Sequence, residues 1–294
     1  MEHQLYRAIV ALLASFGKPR FDPREDFTDH DIVKVYYWAV LHDRPTAWAL
    51  DRRHWPPPLR RGLALPSDTT MSRRLAGPAG RGLLTRLEER VVRPTGAGLY
   101  WMIDGKPLTV GGCSKDRQAG YGRAAGGKAK GYKIHAIVDP GGAVAAWRLA
   151  PMNKDERVMA ERLLKAGPPI QGYLVADSNY DSNNLHDVCA AMGEVQLVTR
   201  RRYGPGRGTG HRQQSPGRVR SIALLENPAP RFGEDLLRQR VAIERAFGNL
   251  TNWGGGLSGL PSWARTHRRV HRWVQAKLVL TALKRQRPER TCAA

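Results

Sequence analysis

Three carboxylates stand out by where they sit. "LYWMID" and "YLVAD" are each a short apolar run that closes on an acid, Asp104 and Asp177. Such runs are the signature of central strands covered on both faces. If the two strands are parallel neighbours, both acids emerge side by side at the carboxyl edge of the sheet, where ligands of open α/β folds sit. Two close carboxylates repel, and one protonates unless a cation neutralises them. Oxygen donors of this kind suit Mg²⁺ or Mn²⁺. The third acid is Glu244 in "RQRVAIERAFGNL", four residues after Arg240 and so on the same helix face. A surface Arg–Glu pair worth a few tenths of a kcal/mol, about 0.2–0.5, is the plain reading of that spacing. Against it, Val241, Ile243, Phe247 and Leu250 leave little of this helix for solvent, and a carboxylate there needs a partner that a metal would supply.

The elements that must position these acids follow from periodicity. "YKIHAIVDPGG" alternates and closes on a Pro-Gly turn, and "AVAAWRLAP" is its partner strand. "DERVMAERLLKAG" and "NNLHDVCAAMG" are amphipathic helices ended by Gly167 and Gly193, and "VQLVTR" is a last strand. Strands followed by strands alternating with helices predict a mixed α/β domain. Before it, Leu5, Ile9, Leu12, Leu13 and Phe16 keep helical spacing, and "HDIVKVYYWAVLHD" predicts a second helix. "PSDTTMSRRLAGP" is a short helix capped by Ser67 or Asp68, with Met71 and Leu75 inward and Arg73 and Arg74 elsewhere. It fits either a DNA-presented helix or an ordinary bundle element. "RGLLTRLEERVV" is a further helix before the break at Pro94. The expected layout is a helical region over 1–93, a catalytic domain over 94–285 with a basic loop at 200–220, and a basic tail over 286–294. Within it, Glu234 to about Leu250 predicts one helix, and the stretch from Trp263 onward a closing helix with a basic outer face.

The 294 residues carry 48 Lys+Arg against 26 Asp+Glu, a formal charge of +22. A field of that sign favours a polyanionic partner, most commonly nucleic acid. Residues 1–93 hold 16 basic and 11 acidic side chains, and 94–294 hold the remaining 32 and 15, so the later two-thirds does most of the gripping. From Arg200 to Arg220 seven arginines occur with no acid, which suits a linker or an arginine-rich strap on a phosphate backbone. Three widely spaced cysteines, Cys113, Cys189 and Cys292, argue against a disulfide framework or a zinc ribbon. The absence of a long apolar run or a signal-peptide layout leads us to expect a soluble, intracellular protein without a membrane partner.

Taken together, "MIDGKPL", "KGYKIH", the D-x-x-Y-D of "ADSNYDS" and the R-x-x-x-E of "RVAIERAF" resemble the catalytic domain of bacterial insertion-sequence transposases of the DDE type. The resemblance runs from about Gly98 to Leu250. It implies a ribonuclease H-like mixed sheet flanked by helices, preceded by a helical DNA-binding region. It implies Asp104, Asp177 and Glu244 as catalytic, metal-holding acids, with Arg240 and Tyr180 supporting the site or contacting DNA. The basic side chains expected on DNA are Lys130, Lys133, Arg200, Arg201, Arg202, Arg73 and Arg74. The activity implied is metal-dependent cleavage and strand transfer at element ends, with two Mg²⁺ or Mn²⁺ ions roughly 3.5–4 Å apart clamping the scissile phosphate. The partners implied are double-stranded DNA, as element ends and target, and a second copy of the chain on that DNA. The location implied is the cytoplasm, on the nucleoid when DNA-bound. The alternatives are a domesticated, non-cutting DNA-binding protein and a nuclease that hydrolyses without joining. A better-studied branch has Tyr three residues before the Arg and Lys seven after the Glu; here those places hold Leu237 and Thr251, so that branch's DNA-end contacts do not transfer.

Other motifs have simpler readings. "GRAAGGKA" has the skeleton of a phosphate-binding loop but ends in Ala129, where a hydroxyl should meet Mg²⁺, and it lacks the strand–helix context; a flexible basic loop near DNA fits better. His267 and His271 lack further ligands and suit a solvated basic face. Asp139 in "DPGG" is a turn residue, and Asp155 and Glu156 open a helix where acids suit the dipole. Asp181 or Ser182 is expected to cap the helix that follows.

Overall fold

The computed structural model describes residues 1–19, 23–94, 98–111, 114–202, 213–226, 231–252, 257 and 259–286. In chain order the helices α1 (Glu2–Ser15), α2 (Asp29–Leu41), α3 (Thr46–Ala49), α4 (Pro57–Arg60), α5 (Asp68–Ala76) and α6 (Pro78–Val91) come first. The strands β1 (Tyr100–Thr109), β2 (Gly120–Ala124), β3 (Gly127–Val138) and β4 (Val144–Pro151) follow. Then come α7 (Glu156–Ala166), β5 (Gly172–Val175), α8 (Asn183–Ala191), β6 (Val195–Val198) and the helices α9 (Pro216–Glu226), α10 (Phe232–Gln239), α11 (Val241–Asn252) and α12 (His267–Arg285).

The chain divides into two compact units, Met1–Val92 with Leu250–Ala294, and Arg93–Asn249. The closing helix belongs with the N-terminal helices rather than with the sheet. The physical reason is its apolar stripe. Val270, Trp273, Val274 and Leu278 are buried, and α12 packs on α6, α2 and α1. Lys277, on the same stripe, is buried too. Its ammonium caps α2 by donating to the Val40 carbonyl at 3.1 Å and pairs with Asp43.

The second unit is built on a mixed sheet in which β3 is the long central scaffold. β1 and β4 pair antiparallel with β3, and β5 and then β6 extend the other side of β1 in parallel. This mixed sheet flanked by helices is the architecture expected from the resemblance. Period-two alternation sorts the side chains. Trp101, Ile103, Leu174 and Ala176 join Ala160, Leu163 and Leu164 of α7 and Leu185 and Cys189 of α8 in one core cluster. On the other face Tyr173 meets Phe232 of α10 edge-on at 5.2 Å, and the Tyr100 hydroxyl donates to Gln239.

Several expectations change here. The glycine-rich "GRAAGGKA" segment is a β-hairpin, with β2 pairing β3 from Gly120↔Gly131 to Ala124↔Gly127, rather than a loop. Gly126 in the turn and Gly127 at the start of β3 adopt φ of 88° and 119°, values that other residues rarely adopt. The end of the arginine-rich segment, 216–220, lies in helix α9; residues 203–212 lie outside the described residues, as do Cys113 and Cys292. The single helix expected over 234–250 breaks at Arg240 into α10 and α11. Asp139 accepts from the Ala143 amide at 2.7 Å and forms the expected turn.

Candidate active site

The parallel register of β1 and β5 sets the centre of the site. Tyr100, Trp101 and Met102 pair with Tyr173, Leu174 and Val175, and the same register carried two residues on brings Asp104 level with Asp177. β5 stops at Val175, while β1 continues to Thr109 along β3, so Asp104 does not end its strand as expected. It becomes accessible because its neighbour ends. Beyond β5 the chain turns through a 3-10 segment, Ser178–Tyr180, capped by the Asp177 side chain. The Asp177 carboxylate accepts from the Asn179 amide at 2.9 Å and from Nδ2 of Asn179 at 3.1 Å. Its backbone carbonyl accepts from the Thr199 hydroxyl at the end of β6.

Asp104 is tuned by its surroundings. Burial pushes its carboxyl up to about 6, the Gly105 amide at 2.7 Å opposes this, Asp177 adds to it, and Arg240 and Glu156 contribute in opposite directions. A cation between Asp104 and Asp177 would relieve both the burial cost and the repulsion, so these two donors fit a hard divalent ion. Glu244 does not join them in this structure. Its side chain is 54% exposed, contrary to the burial expected from its apolar neighbours, and it accepts from Arg240 Nη2 at 2.9 Å. Ile243, Ala246 and Phe247 take the buried side of α11 instead. Arg240 links the two places, with Nη1 at 3.7 Å from Asp104. Among the described residues no group of three or more His, Cys, Asp or Glu is arranged to hold a metal ion.

Asp104 and Asp177 line a cleft of about 800 Å³, together with Asp155, Glu156 and the cations Arg123, Lys133, Lys154, Arg157 and Arg202. The sequence model of the "Transposase DDE domain" family matches residues 101–276, which includes this cleft and all three acids. The chain belongs to the transposase DDE domain family. No curated protein matches it. Among solved structures it is similar to one titled "Cryo-EM structure of piggyBac transposase synaptic complex with hairpin DNA (SNHP)". That likeness has 9% identity and a TM-score of 0.48, over 96% of this chain and 71% of that one.

Within this DDE domain the other expected site residues separate. Lys133 lines the cleft, and its Nζ lies 2.6 Å from Oε1 of Glu156, both largely buried. Arg202 also lines it. Lys130 donates to the Ser114 carbonyl. Arg200 and Arg201 form ion pairs with Glu234 and Glu226. Tyr180 is fully buried beneath α7, so it does not present itself to DNA. Its hydroxyl has no hydrogen-bond partner among the described residues. Burial, with Glu156, Asp104 and Asp177 nearby, pushes its phenol well above the ordinary value. In the helical unit, Arg73 is exposed, but Arg74 is buried against Glu25 and Asp29 and donates to the Phe27 carbonyl. It ties the start of α2 to α5 and is unavailable to a ligand.

The acid four residues past Asp177 has a different task. Asp181 is buried and accepts from Arg218 Nε at 2.7 Å, from Arg218 Nη2 at 2.8 Å and from the Arg202 amide at 3.0 Å. Burial pushes its carboxyl up, but the hydrogen bonds from Arg218, His186 and Arg202 outweigh this and hold it well below the usual carboxylate range. Capping of α8 falls to Ser182, whose Oγ accepts from the Leu185 amide. Arg218, expected on a DNA strap, is a core ion-pair partner instead.

Glu156 is the residue that sequence reasoning passed over. At the start of α7 it looks like a dipole-favoured acid, and the antiparallel strand that delivers Lys133 to it is distant in sequence. One local signal does exist. Gly105 follows Asp104 directly, and a Cβ there would lie 2.7 Å from Lys133 Cδ and 3.3 Å from Glu156 Oε1. The backbone beside Asp104 is kept bare to let this pair lie across it.

Proposed function

We propose that the chain is a DNA transposase that cuts DNA strands at the ends of a mobile element, a bacterial insertion sequence, and joins them to a target, using Mg²⁺ or Mn²⁺. The observation that carries this reading is that Asp104 on β1 and Asp177, just past the end of its parallel neighbour β5, line one cleft walled by cations. Asp104 and Asp177 would hold the metal, with Glu244, released from Arg240, as third donor. When bound, the metal supplies Lewis-acid polarisation of the scissile phosphodiester and neutralises the charge that develops there.

The chain's own residues do the rest. The Gly105 amide and the two Asn179 donors fix the rotamers of Asp104 and Asp177 before any ligand arrives. Lys133, held by Glu156, and Arg202, Arg157, Arg123 and Lys154 offer cations to the phosphates on either side of the scissile bond. The phosphate backbone of duplex DNA is the partner whose charge matches this wall. A second copy of the chain on the same DNA would let two ends be processed together.

The test uses a supercoiled plasmid carrying the element's ends with Mg²⁺. The native chain is expected to nick and join, and Asp104→Asn to bind the ends without cutting. Full cleavage by Asp104→Asn would sink the proposal. The pairing of Glu244 with Arg240 favours one second reading, a non-cutting DNA-binding protein that keeps the fold. It predicts end binding with no cleavage by the native chain under any divalent metal.

A further inference from the structure

Of the two acids that meet in the cleft, Asp104 lies within its strand but Asp177 lies beyond the end of β5. The last bond of the β5–β6 ladder runs from the Ala176 amide to the Val198 carbonyl at 3.0 Å. Past that point the ladder no longer fixes the backbone of Asp177, and side chains take over. The Asp177 carbonyl accepts from the Tyr180 amide at 3.1 Å and from the Thr199 hydroxyl at 2.6 Å. Thr199 Oγ1 also lies 3.2 Å from the Arg200 carbonyl, but a hydroxyl has one hydrogen to give and the shorter contact takes it.

Thr199 is itself held from α9. Its amide donates to Ser221 Oγ at 3.2 Å, and the Ser221 hydroxyl donates to the Thr199 carbonyl at 3.3 Å. Both side chains are buried. The same helix makes two more attachments to this region. Arg218 pairs with Asp181, which follows the 3-10 segment, and Glu226 pairs with Arg201. Asp181 in turn accepts from the amide of Arg202, whose side chain lines the cleft. So α9 grips the loop after β5 at both ends and the loop after β6 as well. A valine at 199 would have the same shape and suit a strand end equally well, and a buried hydroxyl costs free energy unless it is used. The hydroxyl is what this position requires.

We infer that Thr199, locked by Ser221 of α9, is the positioning residue that sets Asp177 for a divalent cation. The inference rests on the reading that Asp177 holds a metal. The Thr199 hydroxyl fixes the peptide that follows Asp177, and the Asn179 donors then fix the carboxylate on that backbone. Mg²⁺ demands near-ideal octahedral geometry, so a donor on an unbraced loop would bind it weakly.

The experiment compares Thr199→Val, which removes the hydroxyl at nearly constant volume, with Thr199→Ser, which keeps it. Mn²⁺ alone is titrated into the full chain without DNA, and free Mn²⁺ is read by electron paramagnetic resonance. Thr199→Val is expected to weaken affinity on the order of 10-fold, while Thr199→Ser returns it to within about threefold of native. A second readout needs no metal. Hydrogen exchange at the Asn179 amide, which donates to the Asp177 carboxylate, should speed up on the order of 10-fold in Thr199→Val and not in Thr199→Ser. Native affinity in Thr199→Val, or a loss that Thr199→Ser does not restore, overturns the inference. Should Thr199→Val fail to fold in a thermal scan, Ser221→Ala carries the same two readouts, because it frees Thr199 without removing its hydroxyl; native values for it also overturn the inference. If the native chain takes up no Mn²⁺, the metal reading has failed, and the exchange of Asn179 alone decides whether Thr199 sets Asp177.

Discussion

In the sheet unit one cleft holds four carboxylates and five cations; in the helical unit two adjoining clefts hold five arginines and one carboxylate. The acids of the first are set by rigid backbone: Asp104 by a strand paired on both sides, and Asp177 by the end of another. Burying charge there is costly, and the cost shows in the raised carboxyl of Asp104. The arginines of the second are mostly exposed, ride on helix surfaces and cost little. Mixed charge on rigid strands suits chemistry on a phosphate. The same contrast recurs within four residues of one loop, where Asp177 faces the cleft and Asp181 is sealed in the core with Arg218.

The sharpest way to break this comparison is to remove charge at each kind of acid. Asp177→Asn should lower Mg²⁺-dependent strand cleavage by on the order of a thousandfold or more, with DNA binding retained. Native-like turnover would place the chemistry elsewhere. Asp181→Ala should instead cost about 3–5 kcal/mol of stability, because it strands the buried Arg218 cation; a urea unfolding midpoint reads this. An unchanged midpoint would mean that Asp181 is not structural. A smaller effect is expected for Lys133→Met and for Glu156→Gln. Each should reduce cleavage roughly 10- to 100-fold with little loss of fold, in the range typical of residues that support a metal site. If Glu156→Gln lowers stability without touching the rate, Glu156 is only a helix opener.

A pH series sharpens the contrast between buried and exposed groups. Burial, with Lys133 adding to it, pushes the His135 imidazole down to about 3, below its ordinary value. The unfolded chain therefore takes up this proton first, so the contribution is complete above about pH 6.5 and is lost as pH falls toward 3. The slope is at most about 1.4 kcal/mol per pH unit, and His135→Phe should flatten it. The smallest effect should come from the half-exposed Arg240–Glu244 pair. Arg240→Ala is expected to change stability by less than about 1 kcal/mol, even if it alters cleavage.

Much of the sheet could be read in advance because its signals are local. Apolar runs leading into Asp104 and Asp177 mark central strands, while their parallel pairing, only a condition in the sequence, comes from the register of β1 and β5. Ser67, Asp139 and Asp155 act as the cap and turn residues that their types predict. Several of the misreadings involve a partner far away in the chain. Arg74 looks like a DNA contact until Glu25 and Asp29 are folded against it. Of the two roles open to Tyr180, only contact with DNA is removed by its burial under α7. The Glu156–Lys133 pair spans 23 residues and the Asp181–Arg218 pair 37. Glu244 was expected to be buried from its neighbours' hydrophobicity, but helical periodicity turns it the other way.

By itself the sequence determined which residues carry charge, which runs are strands, and which two acids follow them in a strongly basic chain. These follow from local propensity, period-two and period-3.6 patterning and composition. Only the tertiary structure decided which charges are spent on each other. It sent α12 back to the N-terminal helices and paired Arg218 with Asp181 and Lys133 with Glu156. The reason is that an ion pair depends on distance in space, and a chain folded through a mixed sheet brings together residues that no local window contains.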